Sequence, residues 1–192
     1  MKFPPRVSAA DVNRWFGLSD LPQAAGTLPS VFSYLRANCA ERYMVTLTDR
    51  RRLTSDQLTH DIGWTLHQAN RALFGTAYKR HRKVSLATYV VHERTLNDGL
   101  HAHLIVGVPN GSLELKSFRR DVSVPELILQ LWQNSGRAYR RAEGQDWRPV
   151  HDLRGAFGYL DKTVRAHTNI DPIDLVNTTF PKAYAVRSAE SE

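Results

Sequence analysis

Apolar and polar positions fall into two alternating periods between residues 42 and 166. In "RYMVTLT" (Arg42–Thr48) the side chains alternate. Tyr43, Val45 and Leu47 share one face and Met44, Thr46 and Thr48 the other, as in a half-buried strand. The period then changes. Leu58, Ile62, Leu66, Ala69 and Leu73 recur every three or four residues in "LTSDQLTHDIGWTLHQANRALFG". This predicts a helix, with Thr54 and Gln57 as a capping box and Gly75 as its stop. "VSLATYVVHER" and "LHAHLIVGV" read as two strands joined by a tight loop. "SVPELILQLWQNSG" is a second helix, for which Ser123 and Glu126 predict another capping box and Pro125 a place in the first turn. "DWRPV" is short and extended, and "HDLRGAFGYLDKTVRA" is a third helix. The order strand, helix, strand, strand, helix, strand predicts an α+β fold of the ferredoxin-like, split βαβ kind. Its sheet should be mainly antiparallel, with helices on one face and the active site on the other.

The flanks are less regular. Residues 1–40 form an N-terminal extension in which "SAADVNRWFGL" and "LPSVFSYLRAN" could each make a short helix. Residues 41–166 make the domain, and residues 167–192 carry weak periodicity and prolines and are expected to be a loosely packed tail. No apolar run is long enough to span a membrane, and the first residues lack the apolar stretch of a signal peptide. A single cysteine, Cys39, excludes an internal disulfide and is compatible with a reducing, cytoplasmic setting.

Charge narrows the class further. The net charge of +7 is concentrated in "DRRR" (Asp49–Arg52), "YKRHRK" (Tyr78–Lys83), "FRR" (Phe118–Arg120) and "RAYRR" (Arg137–Arg141). Such clusters favour phosphate backbones through counterion release. Arg50, Arg51, Arg52, Lys79, Arg80, Arg82 and Lys83 are therefore candidate DNA-backbone contacts.

The third strand raises a sharper question. His101 and His103 lie two apart, so they share a face, and two imidazoles so placed can chelate one divalent ion. The third ligand depends on the turn. A three-residue loop of Asn97, Asp98 and Gly99, with Gly99 in the left-handed region, pairs Leu96 with Leu100 and sets Glu93 opposite His103. A two-residue loop of Asp98 and Gly99 flips the parity, bringing His92 to the histidine face. Periodicity leaves both open. A carboxylate beside two histidines would suit Mg²⁺ or Mn²⁺, and three histidines a softer ion.

In the third helix Leu153, Ala156, Phe157, Leu160 and Val164 make an apolar stripe that should pack on the sheet. Tyr159 lies at its edge, with Lys162 one turn on and Gly155 and Gly158 on the same side. The glycines remove bulk and would let another backbone approach. A tyrosine and a lysine beside such a surface suit attack on a phosphodiester, although a boundary tyrosine with a snorkelling lysine gives the same pattern.

Taken in order, "VTLT", "GLHAHLIV" and "GYLDK" resemble the three motifs of the HUH endonucleases, above all the single-tyrosine rolling-circle replication initiators (Rep proteins). The likeness covers roughly residues 40–166. It implies that His101 and His103 bind Mn²⁺ or Mg²⁺ with Glu93 as third ligand, which decides against His92. It also implies that Tyr159, assisted by Lys162, nicks and rejoins single-stranded DNA or a melted origin hairpin through a 5′-phosphotyrosine. Thr46 and Thr48 would line the floor of the site. Viral members often append a helicase, but this chain has no "GxxxxGK[ST]" loop, so a host helicase is the expected partner. A single-strand transposase with the same catalytic residues, a non-catalytic Rep-like DNA-binding regulator and a water-dependent phosphoesterase are the competing readings. Tyr139 and Tyr184 are the alternative nucleophiles.

Overall fold

A computed structural model describes residues 27–49, 53–80, 84–95, 99–135, 144–166 and 172–181. Helix α1 (Thr27–Asn38) leads directly into β1 (Cys39–Thr48). Then come α2 (Ser55–Phe74), the short α3 (Thr76–Arg80), β2 (Ala87–Thr95) and β3 (Gly99–Pro109). A 3₁₀ turn (Ser112–Glu114), α4 (Val124–Asn134), β4 (Asp146–Pro149) and α5 (Leu153–Ala166) complete the chain order. The four strands form one sheet in the order β2-β3-β1-β4, with every pairing antiparallel. This is the expected α+β, split βαβ arrangement. None of the helices among the described residues is long and apolar enough to cross a membrane.

The alternation seen in the sequence sorts the side chains onto two cores. On one face Val45 and Leu47 of β1, Val90 of β2 and Leu100, Ala102, Leu104, Val106 and Val108 of β3 meet Leu58, Ile62, Leu66, Ala69 and Leu73 of α2 and Ile128 and Trp132 of α4. Helix α2 starts as its sequence requires. Thr54 accepts from the Gln57 amide, and the Gln57 side chain accepts from the Thr54 amide, closing the capping box. Ser123 heads α4 without a side-chain capping bond, so the second box does not form.

The other face is not left bare. Met44, Ala87, Tyr89, Val91 and Ile105 point there, and an apolar half-face must be covered. Helix α1 covers it with Val31 and Leu35, and α5 with Leu153, Phe157 and Leu160. The rings of Phe32 and Tyr89 both pack against Phe157. Helices thus lie on both faces, and only the polar half of this face, at the β2–β3 hairpin end, remains for a site. Helix α1, assigned from sequence to an extension, belongs to the second core. At the β1–β3 pair Gly107 admits the incoming chain, since a Cβ there would lie 2.5 Å from Cys39 Sγ. Burial pushes the Cys39 thiol up to about 12, so it is an inert core group.

Residues 172–181, expected to pack loosely, instead run along the outer edge of β2. Thr179 and Thr88 exchange backbone bonds of 2.8 Å, and His92 donates its amide to the Pro172 carbonyl at 2.6 Å. Asp174 Oδ1 accepts from the amides of Val176 and Asn177, and Asn177 donates to the Thr59 carbonyl of α2. Tyr34 of α1 donates to the Pro181 carbonyl. The segment satisfies backbone groups that an edge strand would otherwise expose. The helix proposed around residues 8–18 lies outside the described residues.

Candidate metal and nucleophile site

The hairpin register decides which side chains meet. Thr95 pairs with Gly99, Glu93 with His101 and His92 with Ala102. Thr95 rather than Leu96 is thus the last paired residue of β2, and Glu93 stands opposite His101 rather than His103. The parity is the one that places Glu93 with the histidines, and Gly99 has the expected positive φ of 78°. On β1, Thr46 stands opposite His103 and Thr48 opposite His101.

The consequence is a convergence of donors. His103 Nε2 lies 2.8 Å and His101 Nε2 3.3 Å from the same oxygen, Glu93 Oε2. Among the described residues, the ligand atoms of Glu93, His101 and His103 all lie within 4.8 Å of one another. Both imidazoles are buried and Glu93 is half-buried. Thr46 Oγ1 sits 3.1 Å from His103 Nδ1. Accepting from Nδ1–H, the threonine hydroxyl would hold the tautomer whose Nε2 is unprotonated and free for a metal. Thr48 holds the equivalent place beside His101, yet its hydroxyl and His101 Nδ1 make no hydrogen bond among the described residues. Burial, then the neighbouring His101 charge, hold His103 below the ordinary imidazole range, against the pull of Glu93. The neutral imidazole that a metal needs is therefore the favoured form. Two neutral imidazoles and one carboxylate on adjacent rigid strands are a fitting donor set for a divalent ion.

His92 has a different environment. It points to the α2 face, with Nδ1 3.1 Å from Ser55 Oγ and Nε2 3.3 Å from Asp174 Oδ2. The second approach lacks hydrogen-bond alignment. His92 is an anchor between α2, β2 and the 172–181 segment, not a member of the triad.

Helix α5 crosses the same half-face. Its apolar stripe fixes the helix on the second core, and Tyr159, at the stripe's edge and 42% exposed, leans over the histidines. Its hydroxyl is 3.4 Å from His103 Nε2, and the two rings meet edge to face at 5.3 Å. Burial, then the Glu93 charge, hold the phenol above its usual range, with Arg148 working the other way. Arg148 of β4 is a residue that the sequence reading missed. It pairs with Met44 and so shares the face of Thr46 and His103. Its signal was the alternation of "DWRPV", too short to orient until β4 was paired.

Other sequence candidates fall elsewhere. Lys162 lies on α5 one turn beyond Tyr159, but its side chain is outside the described residues. So are Arg50, Arg51, Arg52, Arg82 and Lys83, the side chain of Arg80, and the alternative nucleophiles Tyr139 and Tyr184. Lys79 is exposed on α3, whose Ala77 and Tyr78 pack on the α2–α4 core, the face away from the triad. Among the described residues nothing lies within 4 Å of where a Cβ of Gly158 would stand, and at Gly155 the nearest atom is Asp152 Oδ2.

Comparison with family models, with curated proteins and with solved structures returns no match to this chain.

Proposed function

We propose that the chain is a metal-dependent DNA strand-transfer enzyme of the HUH type. In this reading it nicks and rejoins single-stranded DNA through a covalent link to Tyr159, and it starts rolling-circle replication of a plasmid, phage or similar element. The observation that carries the proposal is the meeting of a Glu-His-His donor set with a helix-borne tyrosine hydroxyl 3.4 Å from one of its nitrogens. A water-dependent phosphoesterase has no need of that tyrosine, and a pure DNA-binding protein needs neither group.

The roles follow from the residues. Glu93, His101 and His103 would hold Mn²⁺ or Mg²⁺, which would supply Lewis-acid polarisation and orientation of a phosphodiester at this corner. Thr46 fixes the His103 ring. Tyr159, held over the triad by the Phe157 and Leu160 anchors, attacks phosphorus. A bond forms between phosphorus and the phenolic oxygen, and the bond to the 3′ oxygen breaks. The phenol gives up its proton, and the departing 3′ oxygen takes one up. The product is a 5′-phosphotyrosine and a free 3′-hydroxyl, a polarity that rests on the resemblance to Rep proteins. The link conserves the bond energy, so the reverse step rejoins a strand without ATP. Lys162 would place positive charge beside the phosphate. Single-stranded or melted DNA is the fitting substrate, because a helix-borne tyrosine cannot reach a phosphate in a closed duplex without distorting it.

The test mixes the protein, Mn²⁺ and labelled single-stranded oligonucleotides and resolves them on a denaturing gel. The proposal expects labelled protein from the wild type and none from Tyr159→Phe, with Mn²⁺ affinity kept. Cleavage that survives Tyr159→Phe would assign the site to hydrolysis by water.

A further inference from the structure

Across the polar half-face the strands present, in spatial order, Glu93 on β2, His101 and His103 on β3, Thr46 on β1, and Asp146 and Arg148 on β4. The acidic and imidazole end can hold a cation. Arg148 is at the other end, on an exposed stretch of the edge strand. Among the described residues its guanidinium meets no carboxylate, and its polar contact is Met44 Sδ at 3.7 Å. Asp146, two residues before it on β4, shares this face and is likewise exposed. An arginine this close to carboxylates ordinarily finds one, because the bidentate fit is favourable. With no carboxylate partner among the described residues, it is available to an external acceptor.

We propose that Arg148 is a phosphate-binding residue of this site, taking a non-bridging oxygen of a phosphodiester whose other oxygens face the Glu93, His101 and His103 corner. The inference rests on the nuclease reading for its substrate, but the binding chemistry stands without it. Two strand spacings, about 10 Å at roughly 4.8 Å each, and an offset of two residues along the strands, about 7 Å, separate the Arg148 and His103 backbones. An arginine side chain and a phosphate together bridge that distance. The Tyr159 hydroxyl stands 3.4 Å from His103 Nε2, at the β3 end of this interval, so a phosphate held from both ends would come close to the phenolic oxygen.

The test reads phosphate binding rather than catalysis. The full chain is loaded with Mn²⁺, and inorganic phosphate is titrated in while paramagnetic broadening of its ³¹P signal is followed. The wild type should broaden the signal saturably. Arg148→Ala should weaken phosphate binding about tenfold, the consequence of losing one charge-assisted hydrogen bond. Its Mn²⁺ affinity should not change, which also reports that the site is intact. Arg148→Lys should fall between the two, because it keeps the charge and loses the fork. Equal phosphate affinity in wild type and Arg148→Ala, or no broadening in the wild type, overturns the assignment. If phosphate binds through Arg148 while no oligonucleotide forms a covalent adduct, the Arg148 assignment stands and the strand-transfer reading falls.

Discussion

His92 and His103 belong to one hairpin, and both are buried, yet their ring nitrogens meet different groups. His92 is held at one nitrogen by the Ser55 hydroxyl and approached at the other by Asp174. Those partners come from α2 and from the 172–181 segment, so the ring joins three pieces of the fold. His103 is held by Thr46 at one nitrogen only. Its second nitrogen shares Glu93 Oε2 with His101 and has the Tyr159 hydroxyl nearby. Strand parity alone separates the two environments, because neighbouring residues on β2 point to opposite faces. Burial and residue type do not make a metal ligand. Convergence of several donors on one point does.

The widest separation between the two histidines should appear on removing one. His103→Ala deletes a ligand, so Mn²⁺ affinity should fall by more than the roughly hundredfold known for outer-shell partners. Calorimetric titration checks this. On the other face, Asp174→Ala removes the carboxylate beside buried His92 and the acceptor of three hydrogen bonds within the 172–181 segment. It should lower stability by about 1–3 kcal/mol in denaturant melts while Mn²⁺ affinity stays as in the wild type. Loss of metal binding in folded Asp174→Ala would join the two environments that the structure keeps apart.

Smaller changes sharpen the same contrast. Thr46→Val keeps the shape of the side chain and removes the His103 partner, so Mn²⁺ affinity should drop about tenfold with little change in melting. The smallest effect concerns pH. Burial, with His101 behind it, holds His103 below its ordinary 6.5. As pH falls, the unfolded chain takes up that proton first. The metal-free protein should therefore keep this contribution above pH 6.5 and lose it as pH falls toward the lowered folded value, by at most about 1.4 kcal/mol per unit. His103→Gln should flatten that limb in thermal melts.

Much of this was legible from periodicity. The two alternating strands and the α2 stripe sort onto the sheet faces as written, and the capping box at Thr54 forms. The third ligand was not legible from spacing, because one residue in the turn sets the parity of the whole of β2. The register found keeps Glu93 on the histidine face, although the pairing is with His101 and the paired part of β2 ends a residue earlier. Helix α1 and the 172–181 segment were undervalued for a common reason. Their contacts are with strands distant in sequence, and Asp174, Asn177 and Thr179 act through backbone bonds that leave no apolar period. Arg148 escaped notice because a four-residue edge strand carries too few positions to show which face is which.

The central claim is that Glu93 completes a metal site from which His92 is excluded, and Mn²⁺ titration of Glu93→Ala beside His92→Ala tests it most directly. Bound ion can be counted by loss of the free Mn²⁺ resonance signal, with folding of each variant checked in parallel. The account predicts that Glu93→Ala leaves Mn²⁺ free at concentrations that saturate the wild type. His92→Ala should melt at lower temperature and still bind Mn²⁺ as the wild type does. Wild-type affinity in Glu93→Ala, with loss of binding in folded His92→Ala, would contradict it.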